Sequence, residues 1–64
     1  MVDGYYKIVV KELRRLGFEY DRNAKGSHER WTNSAGRVLI VPRNLTKRHT
    51  ANGILKDGGS DMHL

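Results

Sequence analysis

His28-Glu29-Arg30-Trp31-Thr32-Asn33 and Arg37-Val38-Leu39-Ile40-Val41 decide the fold of this 64-residue chain. Between the two runs, Asn33-Ser34-Ala35-Gly36 supplies a four-residue turn of the type I plus glycine kind, which joins antiparallel strands. The reading is a hairpin, closed by Pro42 because its nitrogen cannot donate to a strand ladder. Successive strand residues point to opposite faces, so parity decides what each face carries. Trp31 is the large apolar group of the first run and belongs in the core, where its burial contributes more than that of any neighbour. His28, Arg30 and Thr32 then lie opposite Trp31. An imidazole and a guanidinium are expected side by side on an open sheet face.

Working outward, Phe18 to Arg22 alternates apolar and polar residues, with Phe18 and Tyr20 on one face and Glu19 and Asp21 on the other. That predicts a first strand, followed by a flexible polar connection over Asn23 to Ser27. Ahead of it, Tyr6, Val9, Val10, Leu13 and Leu16 fall at helical spacing between Asp3 and Leu16, while Lys7, Lys11, Arg14 and Arg15 point elsewhere. Asp3 is the expected cap of this helix, and Gly17 suits the left-handed residue that ends it. Arg14 and Arg15 lie in the last turn, where cations suit the helix dipole, and that is sufficient reason for them.

Downstream, Arg43 to Thr46 leads into a second helix over roughly Lys47 to Asp57, with Thr46 or Thr50 as candidate N-caps. Its apolar stripe of Ala51, Ile54 and Leu55 is thin, and Gly53 costs about 1 kcal/mol relative to alanine, so the helix must rely on tertiary packing. Gly58-Gly59 stops it, and Ser60 to Leu64 is expected as a frayed tail. No repeat or linker interrupts the chain. Residues 1–64 therefore read as a single α+β domain in two layers, helix, three-stranded antiparallel sheet, helix, with both helices on one face.

Composition narrows the function. A chain this short buries only about 60% of the surface its unfolded form exposes, so stability is expected to be marginal without a staple or partner. There is no cysteine, which excludes a disulfide framework and a thiolate metal site and fits a reducing compartment. No stretch approaches a membrane span, and the opening residues lack a signal peptide's basic start and apolar run, so a cytoplasmic protein without membrane contact is expected. Twelve Lys and Arg against seven Asp and Glu give a net charge of +5. Such a field attracts polyanions, which makes nucleic acid the leading partner class, with an acidic protein partner as the alternative.

The chemistry centres on Lys25-Gly26-Ser27-His28, at the mouth of the Trp31 strand. On residue type alone His28 is an ordinary surface histidine after a turn; its surroundings point to acid-base work on RNA, because imidazole is the side chain that ordinarily titrates near neutrality. Lys25, Arg22, Arg30 and Arg43 are cations that this topology can bring near it. Lys47, Arg48 and His49 sit at the start of the second helix, where cations oppose the dipole unless a phosphate occupies the site. The expected RNA contacts are thus Lys25, Arg22, Arg30, Arg43, Lys47 and Arg48. Ser27 and His28 point to opposite faces, which argues against a serine nucleophile. His28, His49 and His63 show no ligand spacing, carboxylates do not cluster, and no Walker-type glycine loop is present, so neither a metal nor a small-molecule cofactor is expected. RNA carries its own nucleophile, the 2′-hydroxyl. Cleavage then needs only a group to move protons and cations to stabilise the phosphate.

Leu13-Arg14-Arg15-Leu16-Gly17-Phe18, then Lys25-Gly26-Ser27-His28 with Trp31, then Gly36-Arg37 and Val41-Pro42, and finally Ile54-Leu55-Lys56 ahead of a glycine, together resemble the HicA mRNA interferase toxins. The similarity covers about residues 5 to 59 and rests on the order and spacing of the fragments. It implies a fold like the double-stranded RNA-binding domain and a type II toxin-antitoxin toxin that cleaves mRNA. It also implies a catalytic role for His28 and a HicB-like antitoxin as partner. The chain departs from the family pattern at Lys47 to Gly53, where a leucine-rich first turn is usual, and at Arg30, where an apolar residue is common. The alternative is a non-catalytic double-stranded RNA-binding module, holding phosphates with Lys47 and Arg48.

Overall fold

Helix, three strands, helix is the order observed. The computed structural model describes residues 4–64, with α1 at Tyr6–Arg15, β1 at Glu19–Lys25, β2 at His28–Thr32, β3 at Val38–Pro42 and α2 at Arg48–Asp57. The strands form one antiparallel sheet in the order β1-β2-β3. β2 and β3 pair without a shift from His28↔Pro42 to Thr32↔Val38. Their turn is held by Asn33, whose Oδ1 accepts from the backbone N–H of Ala35 at 3.1 Å and of Arg37 at 2.8 Å. Asparagine is favoured at this place because its side chain completes the turn that the backbone begins.

Parity holds along β2. Trp31 is 1% exposed and packs with Leu39 and Val41 of β3 beneath Val9, Val10 and Leu13 of α1 and Ala51 and Leu55 of α2. Both helices therefore cover the Trp31 face. Each of these large side chains contributes about 1.5–3 kcal/mol by leaving water. The apolar stripes expected for both helices are the stripes that are buried, with Tyr6, Leu16 and Ile54 packed at the margins.

Both helices stop in the same way. Gly17 (φ +97°) and Gly59 (φ +88°) take the left-handed conformation. After α1, Gly17 N–H donates to Arg14 O and Phe18 N–H to Leu13 O; after α2, Gly59 N–H donates to Lys56 O and Ser60 N–H to Leu55 O. This is the Schellman arrangement, in which the residue after the glycine reaches back to the last turn. At α1 it puts Phe18 into the core at 2% exposure.

Four expectations are corrected. The first strand does not end at Arg22 but runs from Glu19 to Lys25, with register shifts between Tyr20 and Arg22 and between Asn23 and Lys25. Backbone pairing to β2 extends it through a polar stretch that has no apolar alternation. Phe18 belongs to the helix end rather than to the strand, although its buried side chain and Tyr20, the cross-strand partner of Trp31, lie on the same side of the sheet. Tyr20 instead lies half exposed, edge-on to Trp31 at 6.1 Å. The N-cap of α2 is Lys47 in extended conformation, not Thr46 or Thr50, and it makes no side-chain capping bond; Thr50 is already inside the helix. Asp3 lies outside the described residues, and α1 begins after Tyr5, whose N–H donates to Leu45 O at 2.7 Å.

The last correction is the expected frayed tail, which folds back on the body. Ser60 Oγ donates to Glu12 Oε2 at 2.6 Å, and Leu64 N–H donates to Asn52 Oδ1 at 2.7 Å. Glu12 is buried on α1 and also takes two bonds from Arg15, at 2.7 and 2.8 Å. The Arg15 guanidinium, followed by the Ser60 hydroxyl, holds the Glu12 carboxyl down at about 2. Arg14 lies over the Trp31 ring at 5.1 Å, so both arginines of the last turn make contacts beyond the helix dipole.

Candidate active site

Cross-strand partners point to the same side of a sheet, which places the open-face residues in rows. Lys25, His28 and Pro42 form one row, Arg22, Arg30 and Ile40 the next, and Glu19, Thr32 and Val38 the last. Lys25 is therefore the cross-strand neighbour of His28, a consequence of the extended β1. The His28 side chain is exposed, and its Nδ1 lies 3.3 Å from the Lys25 carbonyl oxygen. A carbonyl can only accept, so this contact is a hydrogen bond for the tautomer that carries its proton on Nδ1. Nε2 then keeps its lone pair.

Beside this row an open cleft of about 360 Å³ runs between the ends of the sheet and the start of α2, lined by Ser27, His28, Pro42, Asn44, Lys47 and Thr50. Two backbone contacts fix its walls. Arg43 N–H donates to Ser27 O at 2.8 Å, which ties the segment after β3 to the turn before His28. Ala51 N–H donates to Lys47 O at 3.0 Å as the first helical bond of α2. The cleft thus sets an imidazole against a lysine at a helix start, an arrangement suited to a phosphate flanked by a proton-transfer group.

The expected cations divide into three groups. Lys25 and Lys47 stand with His28, one across the strand and one across the cleft. Arg22 and Arg30 occupy the adjoining row of the open face, but Asp21, the extra residue of the first bulge, lies 3.0 Å from Arg30 Nε and 4.0 Å from Arg22 Nε. The Arg30 N–H is not aimed at that carboxylate, which makes this a charge contact rather than a hydrogen bond. Arg43 turns to the other side of the sheet, with its Nε 3.5 Å from Glu29. Arg48 is exposed in the first turn of α2 and does not line the cleft.

The residue that the sequence reading passed over is Glu29. It is 5% exposed and accepts from Tyr6 OH at 2.6 Å and from Trp31 Nε1 at 3.0 Å, besides facing Arg43. Burial, and then the bond to Glu29, push the Tyr6 phenol up to about 12. Glu29 links α1, β2 and the segment leading to Lys47, directly beneath His28. The signal was available: the parity that turns Trp31 inward turns Glu29 inward too, and a buried carboxylate needs partners. Among the described residues no group of three or more His, Asp or Glu side chains is placed to hold a metal ion, and no helix is long and apolar enough to cross a membrane.

No curated protein and no solved structure matches the chain. The profile of the HicA toxin of bacterial toxin-antitoxin systems matches residues 6–59, from the first residue of α1 to the glycine that ends α2. With that match spanning the cleft, both helices and the whole sheet, this chain belongs to the HicA toxin family.

Proposed function

We propose that this HicA-family protein is a metal-independent endoribonuclease that cleaves mRNA in the cytoplasm, with His28 as general acid/base. The observation that carries the reading is the exposed imidazole at the lip of the cleft, with Lys25 beside it and Lys47 across it. In the reaction the RNA 2′-oxygen loses its proton to Nε2 of His28 and bonds to the adjacent phosphorus. The bond from phosphorus to the 5′-oxygen breaks, and that oxygen takes up a proton from the His28 imidazolium, which returns to its neutral form. The products are a 2′,3′-cyclic phosphate and a 5′-hydroxyl. Lys25 and Lys47 stabilise the charge gathering on the phosphoryl oxygens. Arg22 and Arg30 extend the positive surface along the RNA, and Arg48 adds charge at its margin, while Arg43 faces Glu29 on the other side of the sheet. A HicB-like antitoxin is the partner expected to neutralise the toxin.

The basic start of α2 also suits the second reading, a non-catalytic module that only holds RNA phosphates. One experiment separates the two. A defined single-stranded RNA is incubated in EDTA with the wild type and with His28→Ala, and circular dichroism verifies that both are folded. Cleavage by the wild type, its loss in His28→Ala, and resistance of an RNA with a 2′-deoxy scissile position are expected. Equal cleavage by the variant removes His28 from the mechanism. Salt-sensitive binding without cleavage by either protein favours the module.

A further inference from the structure

Gly53 has no structural reason to be glycine. It lies exposed in α2, its φ is not positive, and a Cβ built there would meet no atom within 4 Å. Glycine is among the poorest helix formers, and α2 buries only Ala51 and Leu55, so the residue weakens an element with little packing to spare. What a bare backbone offers is close approach by something outside the chain.

Its surroundings indicate what approaches. Gly53 lies on a groove of about 460 Å³ between α2 and the returning segment after it, lined also by His49, Asn52, Lys56, Asp61 and His63. His49 and Lys56 stand one turn before and one turn after Gly53 on the helix. The opposite wall is fixed by the bonds of Ser60 to Glu12 and of Leu64 to Asn52. Asp61 is the groove's carboxylate. The first turn of α2 stands between the two sites, with Lys47 and Thr50 lining the His28 cleft and His49 lining this groove.

We infer that this groove is a second binding site for the single-stranded RNA that leaves the His28 cleft, with a base resting on the bare backbone at Gly53 and a phosphate met by Lys56. The inference rests on the ribonuclease reading for the identity of its ligand. Flat imidazoles at His49 and His63 suit a stacked base, and Lys56 suits the backbone charge. The site would make affinity depend on RNA length beyond the nucleotides held in the cleft.

The test measures by fluorescence anisotropy how much affinity is gained when the RNA is lengthened from about 4 to about 12 nucleotides, a span typical of single-strand sites. Wild type is compared with Gly53→Gln and Lys56→Gln, all carrying His28→Ala so that the RNA stays intact, and melting is followed in parallel. Gly53→Gln fills the floor with a better helix former. It is expected to melt no lower than the parent while losing roughly tenfold of the length-dependent gain, the size of one lost base stack. Lys56→Gln is expected to lose part of the gain and to flatten its salt dependence. An undiminished gain in both variants overturns the groove even if the wild type cleaves RNA. A gain sensitive to Gly53, together with no cleavage by the protein that keeps His28, upholds the groove and removes the ribonuclease reading. Absence of binding at either length overturns both.

Discussion

The two faces of β2 differ more than any two regions of the molecule. On one side Glu29 and Trp31 are buried under both helices; on the other His28 is exposed and Arg30 and Thr32 are only partly covered. The strand's alternation separates the side chains that hold the fold from those available for chemistry, within five consecutive residues. A small domain gains from this arrangement, because its single core and its candidate site share a backbone without sharing atoms. Glu29 is the exception, a charge on the core face. Its carboxylate is accommodated because hydroxyl and indole donors from α1 and β2 converge on it and the Arg43 guanidinium after β3 faces it.

If the division is sound, equal truncations on the two faces must have unequal costs. Trp31→Ala is expected to lose about 3–5 kcal/mol, the range for buried aromatics, measured by urea denaturation. Arg30→Ala, one residue away, is expected to change stability by no more than about 0.5 kcal/mol, since its side chain is partly exposed and its Nε makes no hydrogen bond that would be lost. Similar losses for the two would break the comparison. The exception should fall between them. Glu29→Ala strands the Trp31 indole N–H and the Tyr6 hydroxyl, and a cost of about 1–3 kcal/mol is expected for leaving such groups unsatisfied. Glu29→Gln, which keeps an accepting oxygen but loses the charge facing Arg43, should cost less by the same measurement.

What was legible in the sequence follows the same division. The β2–β3 hairpin, the inward Trp31 and the outward His28 were readable because they depend on local rules of turn chemistry and alternation. The full length of β1 was not, since its last residues are polar and are held by pairing to β2 across bulges, which leaves no apolar pattern. Buried Glu12 was not legible because one of its partners is remote in the chain, Ser60 meeting it only after folding, whereas parity turned Glu29 inward without showing that Tyr6 would meet it. The tail was misread for that reason. Of the six expected cations, Lys25 and Lys47 lie beside His28, while Asp21 and Glu29 draw on Arg30 and Arg43. Counting positive charges could not foresee which of them a carboxylate would claim.

The finest test of the core face is the bond between Tyr6 and Glu29, because its pH dependence has a defined sign. The phenol rises from its ordinary 10.0 to about 12, through burial first and the adjacent Glu29 carboxylate second. The folded state therefore holds this proton more tightly than the unfolded chain does. The stability that the bond contributes is present in full below pH 10.0 and is lost as the pH climbs to about 12. Tyr6→Phe removes the hydroxyl and leaves Glu29 with one donor fewer, at an expected neutral-pH cost of about 1 kcal/mol. The stability gap between wild type and Tyr6→Phe should then be constant through neutrality and close across that alkaline window, as followed by denaturation at stepped pH. A gap that persists unchanged to the alkaline end would mean that the phenol contributes through packing alone, and that the Glu29 carboxylate is held on the core face by Trp31 and Arg43 without it.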